Sequence, residues 1–260
     1  MTNRITSKVD DLLSDGYDFK FSEYISEGFS ILNKNVGGFI GYFGVFVIIN
    51  MATSSIPYLG DIVGMVISYP LTAGFYLVAS RISKNETYEF GNFFDGFQLF
   101  VPLLILMIFT TLISVAAALP MLAVVGFELF ELFIGGLAND PATILEMFES
   151  LSYPLLFLTA IPFIYISIAY GWAPFFVIFH KMSAWEAMEA SRKVITKQWF
   201  IFLGFGFVIA LIGISGIIAL GVGLLYTIPF IYCALYAAFN DVVGTSEEDI
   251  KDDVIDHLVV

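Results

Sequence analysis

From Val36 almost to Phe239 the chain is a succession of apolar stretches separated by short polar ones. Each stretch is near the ~20 residues that a helix needs to cross a hydrocarbon layer of roughly 30 Å. The pattern predicts an all-α bundle of six transmembrane helices over residues 36–56, 59–80, 99–127, 153–179, 199–215 and 217–239. The turn between the last two falls somewhere between Gly213 and Gly223. Residues 1–20 read as a polar, loosely attached N-terminal tail, 21–240 as the membrane domain, and 241–260 as an acidic C-terminal tail.

Two polar segments carry helical periodicity. Phe21, Tyr24, Ile25, Gly28, Phe29 and Leu32 recur at i, i+3, i+4, i+7, i+8 and i+11, the signature of an amphipathic helix, with Ser22 as its expected N-cap. Its apolar face suits either the membrane surface or the underside of the bundle. Ser183-Ala184-Trp185-Glu186 reads as a capping box opening a helix to about Lys197, with Trp185, Met188, Ile195 and Trp199 on one side. Asn139-Asp140-Pro141 predicts a further short helix on the opposite face of the membrane, and Ile250, Val254 and Leu258 allow one in the tail.

Ile161-Pro162-Phe163-Ile164-Tyr165 returns unchanged as Ile228-Pro229-Phe230-Ile231-Tyr232, and Tyr69-Pro70-Leu71 is a looser third copy. Proline inside a helix removes a backbone donor and kinks the chain. The three copies predict three pseudo-repeated hairpins, each with a proline-kinked second helix. Supporting echoes are Ser26-Glu27-Gly28-Phe29 against Phe94-Asp95-Gly96-Phe97, and a glycine six residues before both Pro70 and Pro229. If the kinked helices meet on one axis, Pro70, Thr72, Tyr76, Pro162, Tyr165, Ser167, Pro229 and Tyr232 would line a central cavity. The simpler expectation is that such prolines only bend helices. Likewise Asn50, Thr110, Thr111, Ser114, Thr159 and Thr227 are expected to hold helices together.

Composition sharpens the class. Hydrophobic residues make up 58% of the 260 and charged residues only 13%, with a mean hydropathy of +0.87, so a polytopic membrane protein is expected. All 11 Lys and Arg fall before the first span, after the second, after the fourth or in the tail. Six spans then put every cation on the cytoplasmic side, with both termini there. The opening residues lead into aspartates, so no cleavable signal peptide is expected. A lone cysteine, Cys233, forms no intrachain disulfide, and two histidines are too few for a metal site. No hydrolase, metalloprotease, phosphate-loop or dinucleotide motif is present. The expectation is a protein without catalysis, cofactor, metal or nucleic-acid partner, with membrane lipids around it. It acts as a scaffold or accessory subunit that meets a protein through its amphipathic helices or acidic tail. The alternative is a carrier of a lipid or small apolar solute through the cavity between the kinked helices.

The segment from Ser183-Ala184-Trp185-Glu186-Ala187-Met188-Glu189-Ala190-Ser191 through Leu225-Tyr226-Thr227-Ile228-Pro229 to Tyr236 resembles a group of uncharacterised bacterial integral membrane proteins. That group includes the membrane domain attached to some glycerophosphoryl diester phosphodiesterases. The resemblance covers about the last 80 residues well and the first 80 loosely. It implies a bacterial cytoplasmic membrane and carries no catalytic residue, because the phosphodiesterase there is a separate soluble domain.

Overall fold

The computed structural model describes residues 2–134, 149, 152–218 and 221–245. Every regular element among them is helical: α1 (Thr2–Ser14), α2 (Phe21–Lys34), α3 (Val36–Ser54), α4 (Gly60–Ser83), a 3₁₀ segment (Phe90–Leu99), α5 (Phe100–Ile134), α6 (Tyr153–Ala169), α7 (Ala173–His180), α8 (Ala184–Lys197), α9 (Trp199–Ile218) and α10 (Leu224–Val242). Five stretches are long and apolar enough to cross a membrane: Val36–Ser54, Gly60–Ser83, Phe90–Gly126, Tyr153–His180 and Trp199–Ile218. The helix expected as a sixth span, α10, is not among them. The reason is its place in the bundle: Phe230, Cys233, Ala234, Tyr236, Ala237, Ala238 and Phe239 are all buried. Packed against α2, α3, α4 and α9, it carries Tyr226, Tyr232 and Tyr236 along its length.

The helices pair as the hairpins α3–α4, α5–α6 and α9–α10. Their ends at 36, 83, 100 and 199 join a layer made of α1, α2, the 3₁₀ segment, α7 and α8, and the tightest core lies where this layer meets the spans. Tyr42, Phe39, Phe75 and Phe93 are wholly buried there, with Tyr42 stacked on Phe93 at 4.6 Å and its hydroxyl donating to the Leu71 carbonyl at 2.8 Å. Glycine permits the approach: a Cβ on Gly96 would stand 2.1 Å from the Pro70 carbonyl oxygen, and one on Gly74 1.9 Å from that of Phe93. Farther out the helices splay, and Ile48, Met51, Leu112, Leu119, Phe157, Leu158, Phe207 and Ile218 stand exposed. Exposure of aliphatic side chains on this scale is covered by lipid tails, not by water.

The layer elements dock in an ordered way. The 3₁₀ segment packs on α4, α8 packs on α7, and α2 packs on α10. In each case a small residue lies at the contact. Gly96 meets Pro70 and Ala73, and Gly28 lies against Ala234; the Ser191 hydroxyl of α8 accepts from the Trp172 amide at the start of α7 at 3.1 Å.

Several expectations are corrected. Residues 1–20 are not a loose tail: α1 buries Ile5, Val9 and Leu12, and Phe19 is buried after it. Tyr17 donates its hydroxyl to the Val194 carbonyl at 2.7 Å; burial raises that hydroxyl's pKa. The aspartates that suggested disorder occupy the outer face of a helix whose apolar stripe docks on α8. Ser22 does not cap α2, which begins one residue earlier with Lys20 at the cap position. The capping box at Ser183 and Glu186 is present, with the Ser183 amide donating to the Glu186 carboxylate at 3.1 Å. Trp185, however, is 63% exposed, and α8 buries Ala184, Ala187, Met188, Ser191, Val194 and Ile195 instead. The stretch 153–179 stays helical through Pro162 and is interrupted at 170–172, where Pro174 has no N–H for the Tyr170 carbonyl and Ala173 donates to it instead at 3.1 Å. The turn before α10 is at Gly221, whose φ is +76°. The expected helix near 139–151 and the acidic tail beyond Thr245 lie outside the described residues.

Candidate functional site

The proline-centred cavity does not form as the repeat suggested. Pro70 and Pro229 are buried on α4 and α10, which pack together. Around them Tyr232 stacks on Phe75 at 4.6 Å and meets Tyr76 edge-on at 5.6 Å. Pro162 stands exposed on α6, a helix that packs chiefly on α5, α8 and α9. Tyr165 turns toward α8, its hydroxyl 3.0 Å from that of Thr196. Pro162 therefore stands apart from the other two prolines, and the eight candidate residues are divided: Pro70, Pro229 and Tyr232 in an aromatic core, Thr72 and Tyr76 at a small chamber beside it, Tyr165 in a helix contact, Pro162 on the outer surface and Ser167 at a groove.

That groove is a cavity beside the spanning helices. About 430 Å³ in volume, it runs between α5 and α6 against the side of α4. Thr110, Thr111 and Ser114 from α5, Ser167 and Tyr170 from α6 and its end, and Tyr69 from α4 bring six hydroxyls to it among Leu106, Val115, Ala118, Leu122, Phe163 and Ile166. Spacing i, i+1, i+4 keeps the three α5 hydroxyls on one face. At 1.5 Å per residue, Tyr69 lies roughly 14 Å from the start of α4 and Ser167 roughly 21 Å from the start of α6, so both fall well inside the apolar layer. Thr110 donates to the Leu106 or Met107 carbonyl at 2.9 and 3.1 Å. Its oxygen is then free to accept from Tyr69, 3.4 Å away. Ser167 donates to the Phe163 carbonyl at 2.8 Å.

A smaller chamber of about 220 Å³ borders the groove, lined by Ser68, Tyr69, Thr72, Ala73, Tyr76, Pro174 and Ile178. Tyr69 and Pro174 line both spaces and mark their junction. Among the described residues no charged side chain lines either. The start of α7 borders both, yet its amides are taken: Trp172 donates to the Ser191 hydroxyl at 3.1 Å, Ala173 to the Tyr170 carbonyl at 3.1 Å and Phe175 to that of Trp172 at 3.1 Å. This helix start therefore offers no free donors to an anion. Such walls suit a mostly apolar molecule with a neutral hydroxyl or carbonyl group.

The layer carries all the ion pairs found among the described residues. A cavity of about 440 Å³ there is lined by Glu23, Tyr24, Ser26, Glu27, Ser83, Ala237, Asn240 and Asp241. The Tyr24 hydroxyl donates to Asp241 at 2.7 Å, and Asp241 and Glu23 hold Lys20, at 3.5 and 3.8 Å, above its ordinary pKa. Glu189 takes two hydrogen bonds from Arg192 at 2.8 and 2.7 Å, which hold its carboxyl below the usual range. Among the described residues no three His, Cys, Asp or Glu side chains converge as metal ligands.

No protein-family model, curated protein or solved structure matches this chain. The groove was only partly legible in sequence. Thr110, Thr111, Ser114 and Ser167 stand out as hydroxyls in aliphatic runs, but Tyr69 and Tyr170 give no such signal, and nothing local says that α5 and α6 leave space between them.

Proposed function

We propose that this chain is a six-span protein of a bacterial cytoplasmic membrane, with both termini cytoplasmic, that binds and carries a neutral amphiphile through the groove between α5 and α6. One observation carries the reading: six uncharged hydroxyls converge on an open cavity of ligand size within a lipid-exposed bundle. The scaffold reading loses ground, because both amphipathic helices expected to meet a partner spend most of their apolar faces internally, α2 on α10 and α8 on α1 and α7, with Phe29 and Trp185 left exposed. No catalytic role is proposed.

The six-span count rests on α10 crossing as a central helix despite its tyrosines. Three repeated units are supported by the docking order: the layer element that opens each unit packs on the proline-bearing segment of the unit before it, and α2 closes the ring on α10. Among the described residues Lys and Arg lie on or beside the layer elements or at the end of α4 that joins them, which supports the orientation.

The test is native mass spectrometry of the full chain released from detergent after incubation with oleyl alcohol. Binding at one equivalent is expected for the wild type and is lost in Ser114→Phe, which fills the groove. Absence of binding to the wild type, or retention by a folded Ser114→Phe, would refute the groove.

A further inference from the structure

We infer that the chamber beyond Tyr69 is a headgroup subsite for an uncharged hydroxyl- or carbonyl-bearing lipid whose chain lies in the outer groove. The inference rests on the groove reading and assigns polarity to it. The two spaces differ in a way that orients an amphiphile. The groove wall includes Val115, Leu122, Ser167 and Gly171, all exposed to the surroundings of the bundle, so a hydrocarbon chain lying there loses no lipid contact. The chamber wall is formed by buried Ala73, Tyr76 and Ile178 and by half-buried Ser68, Thr72 and Tyr69.

Ser68, Thr72 and Tyr76 recur at i, i+4 and i+8 along α4, which stacks their hydroxyl-bearing side chains into one stripe. The stripe is held rigidly. Ser68 donates to the Asn50 side chain at 3.0 Å or to the Gly64 carbonyl at 2.8 Å. Tyr76 is clamped between Phe175 at 4.1 Å and Tyr232 at 5.6 Å, ring to ring. A hydroxyl stripe on the more buried side of an apolar cavity recognises a headgroup by hydrogen bonds that lipid tails cannot supply.

Charge decides the class of headgroup. A buried ion needs a counter-charge, whereas a hydroxyl or carbonyl needs only a hydrogen-bond partner. The chamber offers partners and no counter-charge. Tyr69, which shares its hydroxyl with Thr110 at the junction, is the residue a headgroup must pass.

The test compares oleyl alcohol, octadecene and oleate as ligands of the full chain in phosphatidylcholine nanodiscs, for the wild type, Thr72→Val and Tyr76→Phe. The wild type is expected to prefer the alcohol to octadecene by about tenfold and to discriminate against oleate. Thr72→Val and Tyr76→Phe are expected to bind octadecene as the wild type does and to lose most of the alcohol preference. If both variants keep that preference, the headgroup subsite is wrong and the groove reading stands. A wild-type preference for oleate overturns the neutral class, and failure of the wild type to bind any of the three overturns the groove itself.

Discussion

Replacing Ser191 with alanine is the sharpest probe of how the break at 170–172 is held. Ser191 is fully buried on α8. Its hydroxyl donates to the Ala169 carbonyl at 2.7 Å and accepts from the Trp172 amide at 3.1 Å, so one side chain pairs the end of α6 with the start of α7. Ser191→Ala leaves both backbone groups buried without partners, and each orphaned group costs about 1–3 kcal/mol. The loss should therefore be roughly 3 kcal/mol, with only a hydroxyl-sized void added. At about 2–4 °C per kcal/mol for a chain of this size, the melting temperature should fall by roughly 6–12 °C. Cys233, the lone cysteine and buried in α10, reports unfolding through a thiol-reactive dye during a thermal ramp in detergent. Ser183→Ala is the reference: it removes a solvent-exposed cap, costs about 1 kcal/mol and should lower the melt by only ~2–4 °C. If Ser191→Ala melts with the wild type, the break is stabilised by something other than this bridge, and the account of α8 as its clamp fails.

Three further outcomes follow from the packing. Gly96→Ala sets a methyl against the Pro70 carbonyl and should destabilise by ~3 kcal/mol; a Cβ on Gly44 in α3 meets nothing within 4 Å, so Gly44→Ala should be neutral or slightly stabilising in the same melt. Trypsin should cut slowly at Lys8, which is buried, and Val9→Asp should make that site fast by undocking α1; equal rates would return residues 1–20 to a loose tail. Arg192 depresses the Glu189 carboxyl, so the unfolded chain binds more protons there. The pair's stabilisation is whole above the ordinary carboxylate pKa of 4.5 and fades as pH falls through the lower folded value. Glu189→Gln should melt below the wild type at pH 7, with the gap narrowing as the pH falls below 4.5; a pH-independent gap would show that the ion pair is not its cause.

Much was set by local pattern alone. Apolar runs longer than a bilayer is thick admit only helices, because hydrocarbon leaves backbone amides no partner outside the segment. Hence the boundaries near 36, 60, 100, 153 and 199, and the capping box at Ser183, could be read along the chain. The character of residues 1–20 could not. Acidic spacing looks like solvation until a partner for Ile5, Val9 and Leu12 exists, and that partner lies some 180 residues away on α8.

Position relative to other helices is what tertiary structure decided. Identical Ile-Pro-Phe-Ile-Tyr segments take opposite roles, Pro229 buried against α4 and Pro162 facing outward, since burial depends on neighbours and not on sequence. The same holds for the hydroxyls. Thr159 bonds to carbonyls of its own helix, while Thr110, Thr111, Ser114 and Ser167 stand around a common groove. A cavity is a mismatch between two surfaces, and neither surface alone records it.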